Sequence, residues 1–155
     1  MARTASPEKQ REYDELKRFF THWQTHLVSY RVFDLDHPHH PINMLARFES
    51  ELGTSRALTG LKQAVNDVLE GCGDFSPEQI SQADASLSRA GAPTLTQLWQ
   101  RRSRQYKVIL RRGRIRNDTE FYLITSILAD TTLQVPVLEQ EVLGKMVASY
   151  ESQRA

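Results

Sequence analysis

Apolar residues recur at three- and four-residue steps along nearly the whole chain, the spacing that gathers them on one face of an α-helix. Tyr13, Leu16, Phe20, Trp23, Leu27 and Tyr30 keep this rhythm and predict one long amphipathic helix from Pro7 to Phe33. Ser6 offers a side-chain oxygen to the free amides of its first turn, and Pro7 suits the first helical position, where no donor is needed. The segment DLDHPHHP then stops the pattern, because Pro38 and Pro41 restrict the residues before them and interrupt a helix.

Six further helices are marked by their caps. Ile42, Leu45, Phe48 and Leu52 predict a short helix that stops at Gly53, and Leu58, Leu61, Val65 and Val68 predict another that ends at GCG, 71–73. SPEQ at 76–79 is a capping box, in which Ser76 takes the Gln79 amide and the Gln79 side chain reaches back. It opens a helix with a narrow seam of Ile80, Ala83, Leu87 and Ala90. TLTQ at 94–97 repeats the box and opens a helix that Gly113 ends. NDTE at 117–120 caps a helix with Phe121, Ile124 and Leu128 on its core side. Pro136 opens a last one, with Leu138, Val142, Met146 and Tyr150 expected to face inward.

The apolar run KVIL, 107–110, is strand-like only in isolation and lies inside a stronger helical pattern. The expectation is therefore a single all-α domain over residues 1–155. It would be an irregular bundle of six or seven amphipathic helices, with the long N-terminal helix as its spine and Trp23 and Trp99 in or near the core.

Composition supports this. A chain of 155 residues, 39% hydrophobic and 25% charged, can bury most of its apolar surface without a metal or disulfide. Cys72 is the one cysteine, which excludes an intramolecular disulfide and a multi-cysteine zinc site. MARTASPEKQ lacks the apolar run of a secretory signal, and the longest uncharged stretch, Phe19 to Tyr30, is broken by His22, Gln24 and His26. No membrane span and a cytoplasmic setting are expected.

Charge changes the picture more. The net value is +1, but residues 34–84 hold nine acids and three bases, while residues 85–117 hold nine bases and no acid. The densest part is RRSRQYKVILRRGRIRND, 101–118. Projected on a helix, Leu95, Leu98, Trp99, Tyr106, Ile109 and Leu110 form the apolar face, and Arg101, Arg104, Lys107, Arg111 and Arg112 form a stripe on the other side. Arg114 and Arg116 extend the stripe past Gly113. Arg102 alone points into the apolar face, where it must snorkel outward, pair with a buried acid or sit at an interface. A homodimer with Arg102 at its seam is one such interface.

Guanidinium forks bind carboxylate and phosphate bidentately, and several on one helix concentrate positive potential. These eight residues, Arg101, Arg102, Arg104, Lys107, Arg111, Arg112, Arg114 and Arg116, are the expected partner-binding set. The leading expectation is a small, non-enzymatic binding or regulatory protein of the immunity, antitoxin or adaptor type, engaging an acidic protein partner. A nucleic acid held through its phosphates is the alternative. A helix-turn-helix is disfavoured, since the helix that would enter the major groove begins with Asp118 and Glu120 and carries no Lys or Arg before Lys145. The bland alternative is a solvated face, its charge balanced by the acidic 34–84 segment.

All five histidines, His22, His26, His37, His39 and His40, fall within residues 22–40, near Asp34 and Asp36. Imidazole and carboxylate are metal ligands, which makes a metal-binding helical protein a second alternative. No HExxH accompanies the His22–His26 pair, so no metal ligand or cofactor is assigned. Charging of the cluster below pH ~6.5 is a milder use of it. GxSxG, CxxC and phosphate-loop motifs are absent, and Cys72 sits between glycines at a helix C-terminus, where the dipole disfavours thiolate. No enzymatic activity is expected.

Overall fold

In the computed structural model, which describes residues 5–28, 31–129 and 135–154, the regular elements are helical throughout. They are α1 (Pro7–His22), α2 (Pro41–Leu52), α3 (Thr54–Gly71), α4 (Pro77–Arg89), α5 (Leu95–Arg112), α6 (Asp118–Ala129) and α7 (Val137–Arg154), with a wider π turn (Trp23–Leu27) continuing α1.

The helix starts follow from capping chemistry. The Lys9 amide donates to the Ser6 hydroxyl at 3.2 Å. In the first capping box, the Gln79 amide donates to Ser76 at 3.1 Å and the Ser76 amide to the Gln79 side chain at 2.8 Å. Thr94 and Gln97 make the same reciprocal pair, both bonds at 3.1 Å. Asn117 accepts the Glu120 amide at 2.9 Å at the head of α6. Gly113 closes α5 at φ 83°, a left-handed conformation that a Cβ would strain.

The N-terminal helix ends earlier than its apolar rhythm predicts. The Val28 amide donates to the Trp23 carbonyl at 2.8 Å, five residues back, and Val28 itself is extended. The Thr25 hydroxyl donates to the Thr21 carbonyl at 2.7 Å, a local bond that competes with the ordinary helical ladder. Phe33, expected at the helix end, instead stacks on His37 with ring centroids 4.4 Å apart, and Tyr30 lies outside the described residues.

Two apolar clusters organise the packing. The first joins Tyr13, Phe19 and Trp23 of the N-terminal segment to Leu61 and Leu69 of α3, Leu87 of α4, and Leu95 and Leu98 of α5, with Trp99 at its edge. The second joins Ile109 of α5 to Ile124 and Ile127 of α6 and to Leu143 and Met146 of α7. The two halves of α5 therefore belong to different clusters, and α3 also packs directly on α6.

The outermost apolar positions depart from expectation. In α2, Leu45 is buried while Phe48 and Leu52 stay exposed, and Ala90 lies outside the seam of α4. In α7, Met146 and Tyr150 face inward as expected, but Leu138 and Val142 do not. The inward face is instead Leu143 and Met146, with Glu139 beside them, fixed by a 2.6 Å bond from the Tyr106 hydroxyl. Among the described residues, no helix is long and apolar enough to cross a membrane.

Candidate interaction surface on the basic helix

The eight basic residues divide into an internally matched group and an exposed one. Arg101 leaves the stripe and grips Glu15 of α1 with both nitrogens of its fork, Nη2 reaching Oε2 at 3.2 Å. This contact raises the Arg101 pKa above its ordinary value. Arg112 grips Glu120 of α6 at 2.7 and 3.1 Å and also donates to the Arg114 carbonyl at 3.3 Å. Burial pushes the Glu120 carboxyl up, but the Arg112 fork and the Arg116 amide, at 2.8 Å, outweigh it and hold its pKa down.

Arg102 is only 4% exposed, as its place on the apolar face requires. Its Nη2 donates to the Ser126 hydroxyl, which in turn donates to Glu70 Oε2 at 3.1 Å. The relay runs from α5 through α6 to α3. Arg102 is thus buried within its own chain, and the two-chain seam expected from it is overturned.

The remaining five, Arg104, Lys107, Arg111, Arg114 and Arg116, are exposed, and none forms a side-chain ion pair among the described residues. Arg104, Lys107 and Arg111 lie at i, i+3 and i+7, one face of α5. Val108, 53% exposed, interrupts the cations on that face. Beside it runs a groove of about 640 Å³, with Thr59, Lys62 and Asn66 of α3 on one wall and Arg104, Gln105 and Val108 of α5 on the other. Trp99 and Tyr106 are turned toward the clusters, so neither offers an aromatic platform beside Arg104, Lys107 and Arg111.

The acidic segment does not neutralise this face among the described residues. Glu49 is held by Tyr13 at 2.9 Å and Lys17 at 3.0 Å, hydrogen bonds from which keep its pKa low despite partial burial. Asp84 accepts the Thr96 hydroxyl at 2.5 Å, and Glu70 serves the relay below Arg102. Asp118 and Glu120 are likewise engaged, Asp118 by the Tyr150 hydroxyl at 2.6 Å.

The histidines separate into three settings. His22 and His26 have ring centroids 4.8 Å apart, and His22 Nε2 lies 2.8 Å from the Ser86 hydroxyl. His37 and His39 pack around Phe33. His40 is buried and caps α2, its Nδ1 accepting the Ile42 amide at 3.2 Å. Its pKa is lowered by burial first and by Arg31 second. Among the described residues, no three His, Cys, Asp or Glu side chains gather as a metal site. The capping role of His40 was readable: a polar residue directly before proline opens α1 and α4 too, at Ser6–Pro7 and Ser76–Pro77.

Cys72 is buried. Burial, with Asp74 adding to it, pushes the thiol up to about 12, far from a reactive thiolate. No family model, curated protein or solved structure matches the chain.

Proposed function

We propose that this chain is a non-enzymatic, cytoplasmic binding or regulatory protein that engages an acidic protein partner through Arg104, Lys107, Arg111, Arg114 and Arg116. One observation carries the reading. Three of the eight basic residues are matched inside the chain; of the five exposed ones, Arg104, Lys107 and Arg111 share one face of α5, Arg114 and Arg116 follow past Gly113, and none forms a side-chain ion pair among the described residues. Guanidinium groups so placed attract carboxylates, and their shared sign speeds encounter with an acidic surface.

A protein is favoured over a nucleic acid by Val108 and by the aromatic rings. An exposed branched aliphatic among cations suits a mixed protein surface, whereas a phosphate backbone gains nothing from it. Stacking on bases needs outward aromatic faces, and Trp99 and Tyr106 do not provide them.

The test compares the native chain with the triple variant Arg104→Glu/Lys107→Glu/Arg111→Glu. None of the three has an ion pair to lose among the described residues, so the variant keeps its helicity and loses only about 1 kcal/mol, from the charge reversal at Arg111 in the last turn of α5. Both are immobilised and exposed to cell extract, with and without nuclease treatment, at physiological salt. A protein retained by the native chain and lost by the folded triple variant is the expected result. Retention indifferent to the substitutions overturns the reading. Retention that nuclease abolishes, with salt-sensitive binding of labelled RNA or duplex DNA, replaces it with the nucleic-acid alternative.

A further inference from the structure

The outer face of α7 lies opposite its buried one and has its own apolar content. Leu143, Met146 and Tyr150 point into the second cluster. On the other side emerge Val137 and Leu138, 68% and 76% exposed, with Val142, 45% exposed, on the flank between the two faces. Further along the outer face come Glu141, Lys145 and Ala148, all exposed. Neither Glu141 nor Lys145 has an ion pair among the described residues. A helix apolar on two sides leaves one of them to be covered from outside.

We infer that a second copy of this chain covers it, the two α7 helices packing antiparallel about a two-fold axis level with residue 143. In an antiparallel pair, residues equally far before and after the axis face each other. Leu138, five before, meets Ala148 of the second copy, five after. Glu141, two before, meets Lys145 of the second copy, two after. Symmetry repeats both contacts, giving two large-on-small apolar contacts and two ion pairs. Val142 lies against the aliphatic stem of the facing Lys145.

The charges select this occupant. A parallel pair would set Glu141 on Glu141 and Lys145 on Lys145, which repels. An acidic or basic partner would satisfy one of the two charges and oppose the other. The face is neutral and complementary to itself, unlike the single-sign surface of α5, and the inference does not depend on that surface. One pair of four- to five-turn helices buries less than the roughly 800 Å² per partner of a standard interface, so the dimer is weak and reversible.

Sedimentation equilibrium of the full chain from micromolar to submillimolar concentration tests this. The native chain follows a monomer–dimer isotherm. Leu138→Lys weakens association at least about tenfold, and Glu141→Lys, which creates two repulsive contacts per dimer, weakens it by about three- to tenfold. The double variant Glu141→Lys/Lys145→Glu returns to within about threefold of native, because the exchanged charges again pair across the axis. Circular dichroism accompanies each sample. A native chain that stays monomeric throughout overturns the inference, as does a dimer that Leu138→Lys and Glu141→Lys leave unchanged.

Discussion

The His40 ring accepts the Ile42 amide through Nδ1, so the capping form is the neutral tautomer with its proton on Nε2. Protonation turns Nδ1 into a donor facing another donor, and the cap is lost. Burial and the nearby Arg31 both oppose the charged ring and lower its folded pKa below the ordinary value. His22 is shifted the same way, by burial first and then by His26 and Arg89. For a base with a depressed folded pKa, the unfolded chain binds more protons between the two values, so stability rises with pH. The contribution is complete above the unfolded value of about 6.5 and disappears as pH falls through it toward the lower folded one. Thermal midpoints measured from about pH 8 down to pH 5 should therefore fall at the acid end. His40→Asn, which supplies a capping oxygen that does not titrate, should flatten that fall in part, leaving the share of His22. An unchanged slope would show that the α2 cap is not a source of the pH response.

At the scale of elements, glycine gives opposite answers according to backbone. Gly113 holds φ at 83° to end α5, whereas Gly60 sits inside α3 with nothing within 4 Å of an added Cβ. Gly113→Ala should lose about 1 kcal/mol and Gly60→Ala should gain about 0.5–1 kcal/mol, both read from urea midpoints at constant slope. The same locality explains what the sequence made legible. Ser6, Ser76, Thr94, Asn117 and Gly113 act through bonds spanning four residues or fewer, and each does at its helix end what its identity implies. The early end of the first helix was hidden, because the Thr25 bond and the π turn leave the apolar rhythm untouched up to Leu27. The face of α7 was hidden too. Its apolar residues lie on both sides, and only the Tyr106 to Glu139 bond, across 33 positions, fixes which side turns in.

Across the whole molecule, the candidate surface was legible as a stripe but not as its exposed remainder. Which cations survive depends on acids that folding brings from elsewhere: Glu15 lies 86 positions from Arg101, and Glu120 comes from the following helix. Arg102 stood out as the one base on an apolar face, and its burial has a consequence for how the halves of the fold hold together. Leu95 and Leu98 of α5 belong to one cluster and Ile109 to the other, with Arg102 between them. Its bond to Ser126, and that of Ser126 to Glu70, connects α5, α6 and α3 where the clusters meet. Arg102→Met keeps much of the side-chain volume but removes the charged donor to Ser126, and it should lower global stability by about 1.5–3 kcal/mol, the worth of a hydrogen bond to a charged group. Arg104→Met, two residues along on the exposed face, should change it by less than about 0.5 kcal/mol. Urea unfolding of the two variants beside the native chain distinguishes these roles. Equal midpoints would mean that the clusters are held by apolar packing alone, and a loss confined to Arg102→Met would place the joint of the molecule at the relay.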